Sequence, residues 1–415
     1  MNFRLNMIHG ALLLLVSSGG LADDGRIYGT VTTDDDVSIT GAIRWNDEEV
    51  FWTDHFNGDK ANATDLSGLS DEEQELILDR QPGPQLDFNG TTIELIKWFS
   101  SDTLDPQDFY LEFGSISIIE PMGGDQVKVT LRDGSEIEGD GGSNDIGADI
   151  VVRGEDGTVQ EIDWDDVKTV VFSASGENAP SFGEHLYGRV KTESGEFQGL
   201  VHWDHDDRVG SEQLDGDVDD NDVSIDFGNI ISITKENEGS RVITRDGTNH
   251  FMVGSNDVND ENRGIYVDDP RSGRVDISWE LFISVEFITE LERPLTTYAD
   301  FAKVGRLHGT VVLEDDKSAS GSLTFDVDEW TSAEMISGRT EAGLRYMIPL
   351  RLVSSITRKD ENSAQVKLTS GDELTLQGER DINHKNNGII INMENEGAKY
   401  IDWKNVKSVS FSDGH

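Results

Sequence analysis

Apolar and polar residues alternate along most of the chain in short runs broken by glycine, the pattern of half-buried β-strands. Val127, Val129 and Leu131 lead into Asp133-Gly134, and Ile137 follows. The arrangement recurs at 241–254 around Asp246-Gly247 and at 365–378 around Ser370-Gly371. Alternating runs joined through Asp-Gly or Ser-Gly predict hairpins. A polar loop comes next, then "DIVV" (149–152), "GIYV" (264–267) or "GIII" (388–391), each the signature of a buried strand.

A different spacing closes each unit. "EIDWDDVKTVVF" (161–172), "DISWELFISVEF" (276–287) and "YIDWKNVKSVSF" (400–411) place apolar residues at +3 and +6 from Trp and Phe at +8. Steps of three put residues on one face of a single helical turn, and the final step of two suits a strand. Upstream lies a second kind of unit. It opens with "YGTVTT" (28–33), "YGRVKT" (187–192) or "HGTVVL" (308–313), and continues with "GAIRW" (41–45), "GLVHW" (199–203) or "GSLTF" (321–325). It ends on "FGSISII" (113–119), "FGNIISI" (227–233) or "LRLVSSI" (350–356), which repeat the closing spacing with Phe or Leu in place of Trp. The motif thus occurs six times, and Trp164, Trp279 and Trp403 are expected to anchor cores.

These patterns predict an all-β protein of three tandem repeats, 26–174, 185–290 and 303–413, each in two halves. A half of five strands with a one-turn helix before the last resembles SH3-like and Sm-like small barrels, including PRC-barrel-type modules. The resemblance implies two small barrels per repeat. It carries no functional residues, because such folds host unrelated activities. Only the first repeat has an insert, 55–107. Within it Ser70 followed by Glu73 is a capping-box signal for a short helix over 70–80, ended by "QPGPQ". "TTIELIKWF" (91–99) predicts an added strand or short helix. The linkers fall at 173–184 and 289–303, the second helical at "TTYADFAK".

Composition narrows function. The net charge is −48 over 415 residues, which argues against nucleic acid and anionic lipid surfaces. Such a skin keeps a β-rich chain soluble and blunts sheet edges. There is no cysteine, hence no disulfide and no thiol chemistry. Arg4, the apolar run 11–16, and Gly20 and Ala22 form a signal-peptide pattern, with cleavage after Ala22. The run is too short to span a bilayer. An exported protein of a bacterial envelope is expected, periplasmic or extracellular, without a transmembrane segment.

Three clusters could carry chemistry. In "HWDHDD" (202–207), alternation puts His202 and Asp204 on one strand face, a donor set that suits a transition metal. Asp215, Asp217 and Asp219 resemble a calcium loop, but Asp220 stands where an EF-hand-type loop needs glycine. Calcium is the one cofactor the sequence raises. The loops 255–265 and 379–389 share a pattern: Asp257, Asn259 and Asn262 match Asp381, Asn383 and Asn386. Those groups either set a common turn geometry or bind a ligand such as a sugar. There is no Gly-x-Ser-x-Gly elbow, zinc-protease motif or phosphate loop. The leading expectation is therefore a non-enzymatic binding or scaffold protein with a protein or glycan partner. The alternatives are an envelope hydrolase with a site around Trp52, Asp54 and His55, and a calcium-stabilised surface protein.

Overall fold

The computed structural model describes residues 24–62, 64–80, 85–88, 91–94, 107–141, 145–176, 179–291 and 293–412. The expected signal peptide, the "QPGPQ" stop up to its last residue, and 95–99 of the expected added element lie outside them; Thr91–Glu94 is a strand. The described chain is almost entirely antiparallel β-sheet with one α-helix, Asp71–Leu78. No helix among the described residues is long and apolar enough to cross a membrane.

The second segment shows the plan. Its strands lie in the order Gly273–Ile277, Ile265–Asp269, Gly195–Trp203, Tyr187–Thr192, Phe282–Phe287, Ile230–Glu236, Gly239–Thr244, Asn249–Met252. The strands of the first and third segments pair in the corresponding order. The order never returns to its first strand, so the described residues form no closed barrel.

This differs from the expected pair of barrels per repeat. The last strand of the second half, Phe282–Phe287, lies between the first half's opening strand, Tyr187–Thr192, and its closing strand, Ile230–Glu236. The halves interleave in one sheet. A unit of 50–60 residues is near the lower limit for folding alone, and interleaving gives each half the other's apolar face. Aromatics from the two halves meet edge to face: Trp45 with Trp164, Trp203 with Trp279, Phe325 with Trp403, at centroid distances of 6.0, 6.0 and 5.7 Å. The +3 and +6 residues of all six closing motifs are buried. The large residue opens a single 3₁₀ turn in five of them, while Trp279 sits in a turn closed by the N–H of Leu281 and Phe282 on Ser278.

The Asp-Gly and Ser-Gly hairpins form as expected. Gly134, Gly247 and Gly371 take positive φ of 84°, 87° and 93°, where a side chain would be strained.

Two segments outside the repeated pattern pack into the fold. The second linker makes a short 3₁₀ helix, Tyr298–Phe301, whose residues join the first segment's core. Tyr298 lies 4.5 Å from the Trp52 ring and donates to the Ile116 carbonyl at 3.0 Å. Phe301 covers Gly114 so closely that a Cβ there would come within 2.2 Å of its ring. The insert helix has the predicted capping box: Ser70 Oγ accepts from Glu73 N, and Glu73 Oε2 accepts from Ser70 N. Leu69 and Ile77 pack on Val327, Ile390 and Tyr400 of the third segment, and Arg80 pairs with Asp402 at 2.6 Å. The insert is therefore a clasp between the first and third segments.

Candidate functional site

After Trp45, Trp203 and Phe325 the chain reverses through two residues of positive φ: Asn46-Asp47, Asp204-His205 and Asp326-Val327. Nine residues beyond each aromatic stands a carboxylate. Asp54 Oδ2 accepts from the N–H groups of Val50 and Phe51, Glu212 Oε2 from Arg208 and Val209, and Glu334 Oε2 from Trp330 and Thr331. A buried N–H needs a partner, and this acid supplies it. The recurrence of Asp or Glu at that spacing is visible in the sequence, though one signal among many acids.

The Asn-rich loops are fastened from within. Asp257 Oδ2 accepts from Asp215 N at 2.8 Å, and Asp381 Oδ2 from Ser337 N at 2.6 Å. Asn262 and Asn386 donate to the carbonyls of Asp257 and Asp381 and accept from Gly264 N and Gly388 N. Asn259 and Asn383 accept from Glu261 N and Lys385 N. These six side chains set the turn geometry and tie the loops to the strands. In the first segment Asp145 does the same for Asn57.

The "HWDHDD" cluster does not assemble as one face. The turn at Asp204 swings its carboxylate into the Asn-rich loop, where Asn256, Arg263 N and the Arg263 guanidinium donate to it at 2.6–3.3 Å. His205 stacks on Tyr266 at 3.8 Å. His202 goes the other way, into the interior between the first and second segments. Asp215 and Asp217 lie in the strand Gln213–Val218 and Asp219 in the turn after it, forming a hairpin with Asn221–Asp226 rather than a loop around an ion. Neither expected metal set converges. Two others do among the described residues, with ligand atoms within 4.8 Å of one another: Asp54–His202–Asp268 and Asp326–Glu329–Asp381.

The first set is an ionic lock. Arg274 binds both Asp268 oxygens at 2.7 and 2.9 Å and reaches Asp54 at 3.2 Å. Arg208 donates from Nε to His202 Nδ1 at 3.0 Å and pairs with Glu49 at 3.3 Å. His202 Nε2 is 3.2 Å from Asp268 and 3.5 Å from Asp54. Burial lowers the His202 pKa, with Asp268 opposing. Burial would raise Asp268, but Arg274 and then His202 outweigh it and hold that carboxyl well below its ordinary value. A metal here would face two guanidinium groups, so the residues fit a self-neutralised network better than a cation. Asp54 and His202 are fully buried, and Trp52 and His55 of the hydrolase alternative lie within the same interior.

Elsewhere burial raises carboxyls: Asp207 to about 8, with Glu212 and Asp257 adding; Asp145 to about 7, against the Asn57 N–H; Asp326 to about 7, against Arg380. A carboxyl whose folded pKa exceeds its unfolded one near 3.8 stabilises fully below the unfolded value and loses that contribution as pH rises through the folded value. Buried His55 and His202 and half-buried His185, with lowered pKa values, work against the fold only as pH falls through the ordinary histidine value near 6.5. Between pH 6.5 and 8.5 the carboxyls govern. Denaturant melts are expected to show higher stability at pH 6.5 than at 8.5, by on the order of 2 kcal/mol.

One open feature is a groove of about 650 Å³ where the base of the insert meets the third segment. Lys60, Asn62 and Asp65 line one wall, and Arg306, Trp330 and Asn392 the other. Lys60 fixes the junction by bonding the Asp328 carbonyl at 2.8 Å and pairing with Asp328 and Glu334. The Arg306 guanidinium stands 5.6 Å from the Trp330 ring centre. An indole among amide, carboxylate and hydroxyl groups can stack on and hydrogen-bond a polar ligand. A second groove, about 700 Å³, runs along the second linker past Lys303, His308 and Arg351.

No protein-family model, no curated protein and no solved structure matches the chain.

Proposed function

We propose that the protein is an exported, non-enzymatic binding or scaffold protein of a bacterial envelope, built from three tandem repeats. Each repeat would be a pair of small-barrel-like halves that exchange strands. Its partner surface would be the groove between the insert and the third repeat, and its ligand a glycan. Export rests on the N-terminal targeting pattern ending at Ala22. The observation that carries the binding reading is the contrast between two kinds of site. The His-, Asp- and Arg-rich cluster is buried and self-paired, whereas the open groove presents Trp330, Asn62 and Asn392. Sugar rings stack on indole, and their hydroxyls pair with amides and carboxylates.

The test is a titration of the whole chain with envelope polysaccharide fragments. Tryptophan fluorescence follows binding, and mass spectrometry follows the fragments. A saturable change with intact fragments is expected. Release of shorter fragments, lost on neutralising one His or Asp, would favour the hydrolase alternative instead.

A further inference from the structure

We propose that Asp326, Glu329 and Asp381 form a buried calcium site in the third segment, beside the groove and independent of what the groove binds. The three carboxylates come from two elements: the turn after Phe325 supplies Asp326 and Glu329, and the Asn-rich loop supplies Asp381. Each offers an oxygen within 4.8 Å of the other two, and all three residues are buried. Glu329 is only 7% exposed, and its Oε2 has no hydrogen-bond partner. An unpartnered buried carboxylate oxygen is costly, and here it belongs to a side chain that points into a ring of other acids.

The surroundings deepen the deficit. Asp328 and Glu334 are also buried, so five carboxylates gather in one interior. Lys60 pairs with Asp328 and Glu334, and Arg380 with Asp326 at 2.8 Å. Neither makes an ion pair with Glu329 or Asp381. The matching positions in the other segments are relieved differently. The first has Asn46 for Asp326, and Arg208 pairs with Glu49, the counterpart of Glu329. The second gives Asp204 both Asn256 and Arg263. Among the described residues, only the third segment brings its three acids to within 4.8 Å of one another.

Burial raises all three acids, most strongly Glu329. Protons and a divalent cation are therefore competing ways to remove the same charge. An all-oxygen donor set selects a hard cation. Calcium accepts flexible carboxylate geometry and sheds its water readily, whereas magnesium demands near-ideal octahedral geometry and usually keeps several waters.

The probe is calcium chloride added to metal-free full-length protein at pH 7.5, followed by calorimetry and thermal melting, with sodium chloride at matched ionic strength as the control. That control matters because a chain of charge −48 gains from any screening. One calcium per chain is expected, with a dissociation constant of roughly 10⁻⁷–10⁻⁵ M and a raised melting temperature. Glu329→Gln should weaken binding at least about 100-fold, as should Asp381→Asn, which serves if the first variant does not fold. Asp217→Asn, in the exposed hairpin, should bind as the parent does. The proposal is overturned if the parent shows no calcium-specific heat in that range. It is equally overturned if binding survives in a folded Glu329→Gln or Asp381→Asn protein, or is lost in Asp217→Asn.

Discussion

Arg274→Ala is expected to destabilise the protein by about 3–5 kcal/mol, the cost of breaking a buried ion pair from one side. Arg274 supplies both hydrogen bonds that hold Asp268 at 2.7 and 2.9 Å and also reaches Asp54. Asp54 is fully buried and Asp268 5% exposed, so removing the guanidinium leaves two carboxylates facing each other across His202. The chain can recover part of this by protonating one of them. The loss should therefore shrink as pH falls, which separates it from a simple packing defect. Urea melts of the parent and the variant at pH 8 and pH 5.5 read both quantities. A loss under 1 kcal/mol at pH 8 would mean that the lock does not join the first two segments as described. Arg274→Met, which keeps the length but not the charge, should be nearly as damaging.

Trp279→Ala should cost about 3–5 kcal/mol, the range for truncating a large buried aromatic. Its indole stacks on Phe282 at 5.2 Å and meets Trp203 edge-on at 6.0 Å. A buried Trp removes about 150–250 Å² from water, worth at most about 4–6 kcal/mol. The interleaved sheet adds a second expectation. Trp279 belongs to the second half of its segment and Trp203 to the first, so the two halves should lose stability together in one transition. Two separate transitions in calorimetry would restore the picture of independent barrels.

Strand positions, hairpins and core residues were legible in the sequence because each depends on neighbours a few residues away. The Asp-Gly turns and the Ser70 capping box are local chemistry, and the +3 and +6 spacing reports burial directly. Strand partners were not legible. Alternation shows that Val167–Phe172 has a buried face, not that it lies between Tyr28–Thr33 and Ile116–Gly123. Likewise His202 and Asp54 each drew attention as potential chemistry, in separate settings. Their meeting at 3.5 Å depends on the docking of two segments that place them 148 positions apart in the sequence. The set Asp326, Glu329 and Asp381 was half visible, since Asp381 stood out in its loop while the two acids after Phe325 were lost among many. Tyr298 and Phe301 read as a linker helix because nothing local says that the linker folds back onto Trp52 and Gly114.

Charge that holds the fold is separate from the surface left open. Buried Asp, His and Arg groups neutralise one another between segments, and the insert fastens the first segment to the third. That clasp creates the groove. The proposed binding surface is thus made by docking rather than by any repeated motif.

The most direct test is equilibrium binding of the parent and Trp330→Ala proteins to envelope polysaccharide fragments, read by calorimetry. Trp330 is partly exposed in the groove wall, so its loss should leave the fold standing. The account predicts a saturable parent interaction that Trp330→Ala weakens at least about 10-fold, in line with one aromatic stacking contact of about 1.4 kcal/mol or more. Parent protein that binds no fragment, or a Trp330→Ala protein that binds as well as the parent, would contradict it.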